Sequence, residues 1–235
     1  MGMEQIKVEL IDNMGDDLST VNSARVSFDK ESAWEIPEDC HDSSFAQLQE
    51  RDAKLIKYLA DHKHMTPFRH NAIQIRCHAP IFLARQLGKH QAGLSWNEVS
   101  RRYVDSEPEF FIPDEWRGRP NGSIKQGSGG VVETCCATTK EHSEVMEYED
   151  ILDICVQWYN VNKFEVAPEM IRMVLPQSMM TSWYWTGNLL AFAHVYKERI
   201  NEGAQLEAQH FAKELDKIIR PLYPVSWSAL VGCEK

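Results

Sequence analysis

One short run of the sequence, residues 85–103, concentrates side chains that bind anions. It holds four cations and a histidine against one acidic residue: Arg85, Lys89, His90, Arg101 and Arg102 stand against Glu98. The whole chain is acidic, with 25 Lys and Arg, 35 Asp and Glu, and a formal net charge of −10. A cationic patch on such a background predicts a binding site for an anionic ligand.

The groups around these cations favour a ligand that is both flat and phosphorylated. Arg101 and Arg102 follow Ser100 and offer the planar forks that match phosphate oxygens. Trp96 offers a ring on which a flat ligand stacks. The alternative is a basic face in solvent, which is the usual role of a charge run. The sequence contains neither a G-x-G-x-x-G fingerprint nor a Walker A loop, so any phosphate would be bound by side chains and helix ends.

Several histidines raise the alternative of a metal site, with His90 or Glu98 completing a zinc ligand set. No HExxH motif and no His/Cys pair at the usual spacing is present, so we predict no metal. Ser100 is a weak candidate for a hydrolase nucleophile because no GxSxG motif surrounds it. The other histidines concerned are His62, His64, His70 and His78.

A further pair of polar residues lies near the end of the chain. Asn188 and Arg199 are eleven residues apart. On one helix that spacing is about three turns, so the two side chains point the same way. Periodicity alone favours an exposed polar edge of an amphipathic helix.

Composition excludes several classes of protein. The 235 residues are 43% hydrophobic, enough for a packed core, and no apolar run approaches the roughly 20 residues of a membrane helix. The start MGMEQIKVEL lacks the basic and apolar regions of a signal peptide. Six cysteines without a CxxC pair indicate reduced thiols, so we expect a cytoplasmic protein without a membrane partner. The acidic net charge disfavours nucleic acid as a partner.

Hydrophobic periodicity predicts the elements that position these residues. Strands are expected at residues 6–10 and 71–79, the second with Ile73, Ile75 and Cys77 facing the core. A further short strand is expected within 177–185. Helices are expected at residues 44–59, 81–90, 139–162, 188–199 and 204–220, the first opened by a capping box of Ser44 and Gln47 and the last stopped by Pro221.

Residues 105–132 are rich in Gly, Pro and Ser, which predicts a long mobile loop. The segments on either side look incomplete alone, so we interpret this loop as an insertion within one domain that spans residues 1–235. Strands and helices do not alternate as regular βαβ units. The predicted fold class is therefore α+β, a single domain with a mixed or antiparallel sheet flanked by helices.

Six motifs in the same order give the chain a resemblance to the flavin-dependent thymidylate synthases. They are VNSARVSF, HMTPFRH, APIFLARQLGKHQ, SWNEVSRRY, KQGS and RMVLP, and the spacing from Asn188 to Arg199 is also similar. The resemblance implies reductive methylation of dUMP to dTMP, with 5,10-methylenetetrahydrofolate as the carbon donor, FAD as the hydride carrier and NADPH as the reductant. It also implies a homotetramer with FAD bound between subunits.

The resemblance assigns roles to individual positions. Arg199 matches the position thought to activate the pyrimidine, where a guanidinium that stays protonated stabilises negative charge. Ser100 matches a serine for which we favour hydrogen bonding over nucleophilic attack. The positions that match flavin contacts are Thr66, Lys89, His90, Gln91, Glu98, Asn188, Leu190 and His194. The positions that match dUMP contacts are Gln86, Lys89, Glu98, Ser100, Arg101, Arg102, Arg172 and Arg199.

The chain departs from the family pattern at several of these positions. Lys89 and Gln91 flank the histidine where the family has R-H-R, and Leu190 stands where Arg is frequent. Arg69 replaces a glutamate, and His194 stands where Asn is frequent. These changes motivate a second hypothesis, a catalytically silent homologue that binds nucleotide or flavin. A third hypothesis, a metal-dependent nucleotide hydrolase, would show bound zinc.

Overall fold

The computed structural model describes residues 2–36, 46–120, 127–132, 137–138 and 145–232. Its strands are β1 (Lys7–Met14), β2 (Ala72–Pro80), β3 (Leu94–Glu98), β4 (Trp116–Arg117), β5 (Val131–Val132), β6 (Ala137–Thr138), β7 (Val145–Met146) and β8 (Met180–Asn188). Its α-helices are α1 (Asp17–Arg25), α2 (Glu50–Asp61), α3 (Ile81–Leu87), α4 (Tyr148–Asn162), α5 (Pro168–Ile171), α6 (Leu189–Arg199), α7 (Leu206–Leu222) and α8 (Pro224–Val231).

Four strands form an antiparallel sheet in the order β1-β2-β8-β3. The alternation predicted for β2 is confirmed, because Ile73, Ile75 and Cys77 are all fully buried. On the neighbouring strand β8, Trp183 and Trp185 face the same way and are equally buried. One face of the sheet is therefore apolar, and the other carries the polar residues of each strand.

Helices α6 and α7 pack on the apolar face of the sheet, and α8 packs against both helices to complete the core. Phe192 of α6, Phe211 of α7 and Trp227 of α8 are fully buried in this layer. Burying an aromatic or aliphatic side chain of this size contributes about 1.5–3 kcal/mol each. The fold is thus a single α+β unit with an antiparallel sheet flanked by helices, as the sequence predicts.

Four predicted helix boundaries are wrong, two at the start of a helix and two at the end. The helix expected from residue 44 begins at Glu50, because Gln47 pairs its backbone with Glu35 and is held extended. Ser44 lies outside the described residues, so its part of the expected capping box cannot be placed. The helix expected from 139 begins at Tyr148, and Val145–Met146 is a strand; residues 139–144 lie outside the described residues.

The helix expected over 81–90 ends at Leu87, where Gly88 donates its N–H to Ala84 and the chain turns away. Pro221 does not stop α7 but lies in its last turn, and the helix ends at Leu222. The next helix, α8, starts at Pro224 and was not predicted. Helix ends depend on where the chain must turn, which periodicity does not encode.

The segment 105–132 is attached to the core at the one buried ion pair it contributes among the described residues. Arg117 donates from Nη2 to Oε1 of Glu207 at 2.6 Å, and the Glu207 side chain is 3% exposed. Arg117 also donates from Nε to Ser128 Oγ at 3.0 Å, which ties the two arms of the segment together. The mobility expected for residues 105–132 remains a prediction.

Replacing Arg117 with methionine is expected to destabilise the fold, because Glu207 would keep a buried charge with no cation beside it. Breaking such a pair from one side costs about 3 kcal/mol or more. Denaturant titration at a fixed protein concentration measures the free energy of unfolding. The double variant Arg117→Met with Glu207→Leu serves as the control and should recover most of the loss. Equal stability of the parent and Arg117→Met would contradict this expectation.

Candidate functional site

Arg199, the last residue of α6, is held by His90 in the loop after α3. Its Nε and Nη2 donate to Nε2 of His90 at 3.1 and 2.9 Å. A ring nitrogen that accepts carries no proton, so the imidazole is neutral with its proton on Nδ1. Burial, followed by the positive charge of Arg199, lowers the pKa of His90 and favours this neutral form. The structure therefore brings together two residues that are 109 positions apart.

The loop 88–93 is fitted closely against the start of α6. Asn188 caps that helix, its Oδ1 accepting from the N–H of Ala191 at 2.9 Å. Gly93 has φ +76°, and a Cβ built on it would lie 2.7 Å from Asn188 Nδ2. A side chain at position 93 would therefore collide with the cap, whatever conformation it took. Lys89 and Gln91 are exposed on this loop.

The remaining positions assigned to the flavin do not all face the same space. His194 is exposed on α6 and interacts electrostatically with His90. Thr66 is exposed at the start of the 3-10 turn Thr66–Arg69. Leu190 is 8% exposed and belongs to the hydrophobic core.

A first cavity of about 790 Å³ opens beside Arg199. Gln86 also lines it, and its Nε2 donates to Gln205 Oε1 at the start of α7. Trp116 and Tyr148, which meet edge to face at 5.2 Å, form an aromatic part of its wall. The volume is in the range of small-molecule sites, about 300–1,000 Å³.

A second cavity of about 450 Å³ is lined by Glu98, Ser100, Arg101 and Arg172. Glu98 is oriented by neighbours: Thr181 Oγ1 donates to its Oε1 at 2.9 Å, and the indole of Trp96 donates to its Oε2 at 3.3 Å. These four side chains supply two guanidinium groups, a hydroxyl and a carboxylate. That set suits a phosphorylated ligand with hydroxyl groups.

The guanidinium groups of the second cavity are positioned by backbone carbonyls. Arg101 donates to the carbonyl oxygens of Ser106 and Glu107, and Arg172 donates from Nε to the carbonyl of Glu169 at 3.4 Å. None of these partners is a carboxylate, so both positive charges stay available to an anion.

Arg102 is exposed at the edge of this group. Its Nε donates to Ser100 Oγ at 3.3 Å, and its guanidinium lies 5.0 Å from the centre of the Tyr103 ring. In the described part of the chain, Ser100 Oγ therefore contacts a cation. A serine nucleophile needs a neighbouring base, and the guanidinium of Arg102 cannot serve as one.

Among the residues that the structure describes, the two cavities share none in their linings, although neighbouring residues of the chain line different cavities. Ser178 lines the first and Met179 the second, and on α3 Ile81 lines the second and Phe82 the first. Six of the eight positions assigned to the nucleotide thus line two separate cavities of a single chain, and Lys89 and Arg102 line neither. Gln86 and Arg199 lie in one, and Glu98, Ser100, Arg101 and Arg172 lie in the other.

Sequence reasoning missed residues in both cavities, among them Trp116 and Tyr148 in the first. His78 and Ser182 line the second cavity, yet His78 was considered only as a metal ligand. The sequence feature that could have identified His78 is the alternation in β2, which places it on the face opposite the buried residues. Among the residues that the structure describes, no group of three His, Cys, Asp or Glu side chains is arranged to hold a metal ion. Within the same ranges, no helix is both long and apolar enough to span a membrane.

Comparison with known proteins shows the family. The family model described as thymidylate synthase complementing protein matches residues 9–225. A flavin-dependent thymidylate synthase of Thermosipho melanesiensis is 33% identical over 224 residues, which cover 95% of this chain and 90% of that protein. One of Thermus thermophilus is 32% identical over 225 residues, covering 94% of this chain and 74% of that protein.

Solved structures agree with the sequence relatives. The UMP/dUMP methylase PolB from Streptomyces cacaoi, bound with 5-Br dUMP, superposes with a TM-score of 0.73 at 29% identity. The superposition covers 95% of this chain and 93% of that one. The same enzyme bound with 5-Br UMP gives a TM-score of 0.75 at 28% identity. The chain belongs to the flavin-dependent thymidylate synthase family and is a methyltransferase enzyme.

Proposed function

We propose that this chain is an FAD-dependent thymidylate synthase that methylates dUMP to dTMP. The carbon comes from 5,10-methylenetetrahydrofolate and the electrons from NADPH. Carbon 5 of the pyrimidine gains the methyl group and loses its hydrogen as a proton. Because NADPH reduces the one-carbon unit from the methylene to the methyl level, the folate leaves as tetrahydrofolate. We place the reaction in the cytoplasm.

The observation that supports the proposal is that two cavities are lined by different parts of the residue set that the resemblance assigns to dUMP. The second cavity supplies cations for a phosphate, with Arg101 and Arg172. The first supplies Arg199 beside an aromatic wall. A phosphorylated pyrimidine needs both kinds of contact. Two copies of the chain, each offering one cavity, provide them together.

The loop 88–93 fits a flat anionic cofactor such as FAD. Lys89 contributes a cation and Gln91 an amide, both exposed to a ligand. Gly93 keeps the loop close to the start of α6, where a Cβ would collide with Asn188. The other proposed flavin contacts are Thr66, His90, Glu98, Asn188 and His194. Leu190 is buried in the core, so its contribution to the flavin site would be through packing.

When bound, the flavin supplies the hydride chemistry, and the protein supplies binding and electrostatics. Arg199 stabilises negative charge on the pyrimidine ring, because a guanidinium stays protonated and cannot act as a base. Neutral His90 accepts two of its N–H groups. Arginine has five such groups, so about three remain for the substrate. Glu98 is held by Thr181 and Trp96 and accepts from a ligand hydroxyl.

We further propose a homotetramer with sites shared between subunits. Helix α4 supports it, because one of its faces is apolar and exposed in the single chain. The large side chains on that face and just beyond it are Ile151, Ile154, Trp158, Val161 and Phe164, the last 88% exposed. A contiguous exposed apolar surface of this kind marks a protein–protein contact.

Purified protein is expected to show the visible absorption of an oxidised flavin. It should also release tritium from 5-tritiated dUMP only when methylenetetrahydrofolate and NADPH are both present. Recovery of tetrahydrofolate as the folate product distinguishes this route from one in which the folate is the reductant. UMP in place of dUMP tests the sugar preference, since the solved relative is described as a methylase of both. A colourless protein that binds dUMP without turnover would favour the silent homologue instead.

A further inference from the structure

His78 and Ser182 form a hydrogen-bonded pair in the second cavity. They lie opposite each other on β2 and β8, and His78 Nδ1 is 2.8 Å from Ser182 Oγ. The hydroxyl can donate to Nδ1, and Nε2 then carries the ring proton. Oε2 of Glu109 lies 3.9 Å from Nε2, which is beyond hydrogen-bond distance. With respect to the described residues, the Nε2–H is therefore available to a ligand.

The pair belongs to the same cavity as the residues that suit a phosphate. His78 and Ser182 line it together with Ser100, Arg101 and Arg172. The imidazole is one-third exposed, so a ligand can reach it. The backbone pairing of β2 with β8 fixes the position of both side chains, which makes this a rigid wall of the cavity.

The second cavity, which His78 lines, has no net positive charge while His78 is neutral. Three carboxylates line the cavity against two guanidinium groups, so its formal charge is negative while His78 is neutral. On the other side of the ring, β1 and β2 add two cations and one carboxylate. The lining groups are Glu98, Glu107, Glu109, Arg101 and Arg172; those on the strands are Lys7, Glu9 and Arg76. Burial lowers the pKa of His78, with Lys7 and Arg76 acting in the same direction and Glu109 and Glu9 opposing them.

We propose that His78, oriented by Ser182, is a direct ligand of the substrate's phosphate monoester and takes up a proton when that phosphate binds. The inference rests on the proposed function, because it needs a nucleotide in this cavity. A phosphate dianion beside the ring would favour the protonated form of His78. The charged imidazolium donates a stronger hydrogen bond than the neutral imidazole does.

The direction of the pH dependence follows from linkage. The pKa of His78 lies below its ordinary value in the empty cavity and would rise when the phosphate binds. The added affinity is therefore fully present below the pKa of the empty state. It is lost as pH rises through the pKa of the bound state. The phosphate itself titrates near pH 6 and favours binding of the dianion as pH rises, which opposes the effect of His78.

Calorimetric titration of the flavin-loaded full chain with dUMP, between about pH 6 and 8, separates the two effects. Each pH is measured in two buffers of different ionisation enthalpy, so that proton uptake is read directly and no turnover is needed. The variants are His78→Gln and Ser182→Ala, and His62→Gln, at the exposed C-terminal end of α2, is the matched control. Deoxyuridine, which lacks the phosphate, and inorganic phosphate are the comparison probes.

In His78→Gln we expect dUMP to bind about 10- to 100-fold more weakly at pH 6, the cost of one charge-assisted hydrogen bond. The loss should shrink toward pH 8, and the proton uptake attributable to His78 should disappear. Ser182→Ala should show a smaller loss of the same sign. Deoxyuridine should bind the parent and His78→Gln equally well, and His62→Gln should match the parent.

An unchanged dUMP affinity and pH profile in His78→Gln, with the parent binding dUMP normally, would overturn this inference alone. An equal loss for deoxyuridine would also overturn it, because the imidazole would then contact another part of the nucleotide. A parent that binds neither dUMP nor inorganic phosphate would overturn the proposed function, and this inference with it. Thermal unfolding of each variant shows whether a loss of affinity reflects a loss of fold.

Discussion

Arg199→Lys is expected to lower the rate of dTMP formation by about 100- to 1000-fold while the protein keeps its flavin. Lysine keeps the positive charge but loses the planar fork that donates twice to His90 Nε2. An ammonium at the end of a flexible chain is neither held there nor aimed at the pyrimidine. Because charge on that ring develops in the transition state, turnover should suffer more than dUMP binding.

The measurement for Arg199→Lys is paired. Flavin content and NADPH oxidation without nucleotide report on the cofactor, and dTMP formation reports on the pyrimidine. The first two should stay close to the parent because hydride transfer to the flavin does not need the pyrimidine. Arg51→Lys, at an exposed position on α2, is the matched control. If Arg199→Lys lost its flavin or formed dTMP at the parental rate, the role assigned to Arg199 would be wrong.

Two inactive variants are expected to restore activity when they assemble together. Arg199→Lys damages the first cavity and Arg172→Ala damages the second. If each site takes one cavity from each of two copies, mixed oligomers contain some sites in which both arginines are intact. Random one-to-one assembly of a symmetric oligomer gives about a quarter of the sites in that condition. Recovered dTMP formation should approach about the same fraction of the parental rate.

Co-expression of differently tagged variants, followed by two affinity steps, isolates the mixed oligomers. Each variant purified alone provides the background, and the double variant Arg199→Lys with Arg172→Ala mixed with parent chain tests for dominance. No recovery in mixed oligomers would show that one chain supplies both cavities to each site. A fully active monomer would contradict the shared site and the homotetramer together.

Local pattern was enough to predict which face of β2 is buried in the interior. Ile73, Ile75 and Cys77 alternate with polar residues, and a period of two places them on one face wherever the strand lies. The cations after position 85 likewise indicate an anionic ligand, because side-chain charge does not depend on the fold. The motifs they belong to pointed to the family that the comparisons show.

Local sequence patterns could not predict the contacts between segments that are distant along the chain. Strand β3 was not predicted, since Leu94–Glu98 becomes a strand by pairing with β8 some ninety residues later. The pairing of His78 with Ser182 depends on the register of β2 against β8, which only the assembled sheet sets.

The sequence by itself determined which residue types the chain offers to an anionic ligand and which positions of β2 enter the core. The tertiary structure decided that Arg199, which His90 holds, lines one cavity and that Ser100, Arg101 and Arg172 line another. The physical reason is that side-chain chemistry and periodicity are local properties. Which residues face one another is settled only when packing brings strands and helices together from far along the chain.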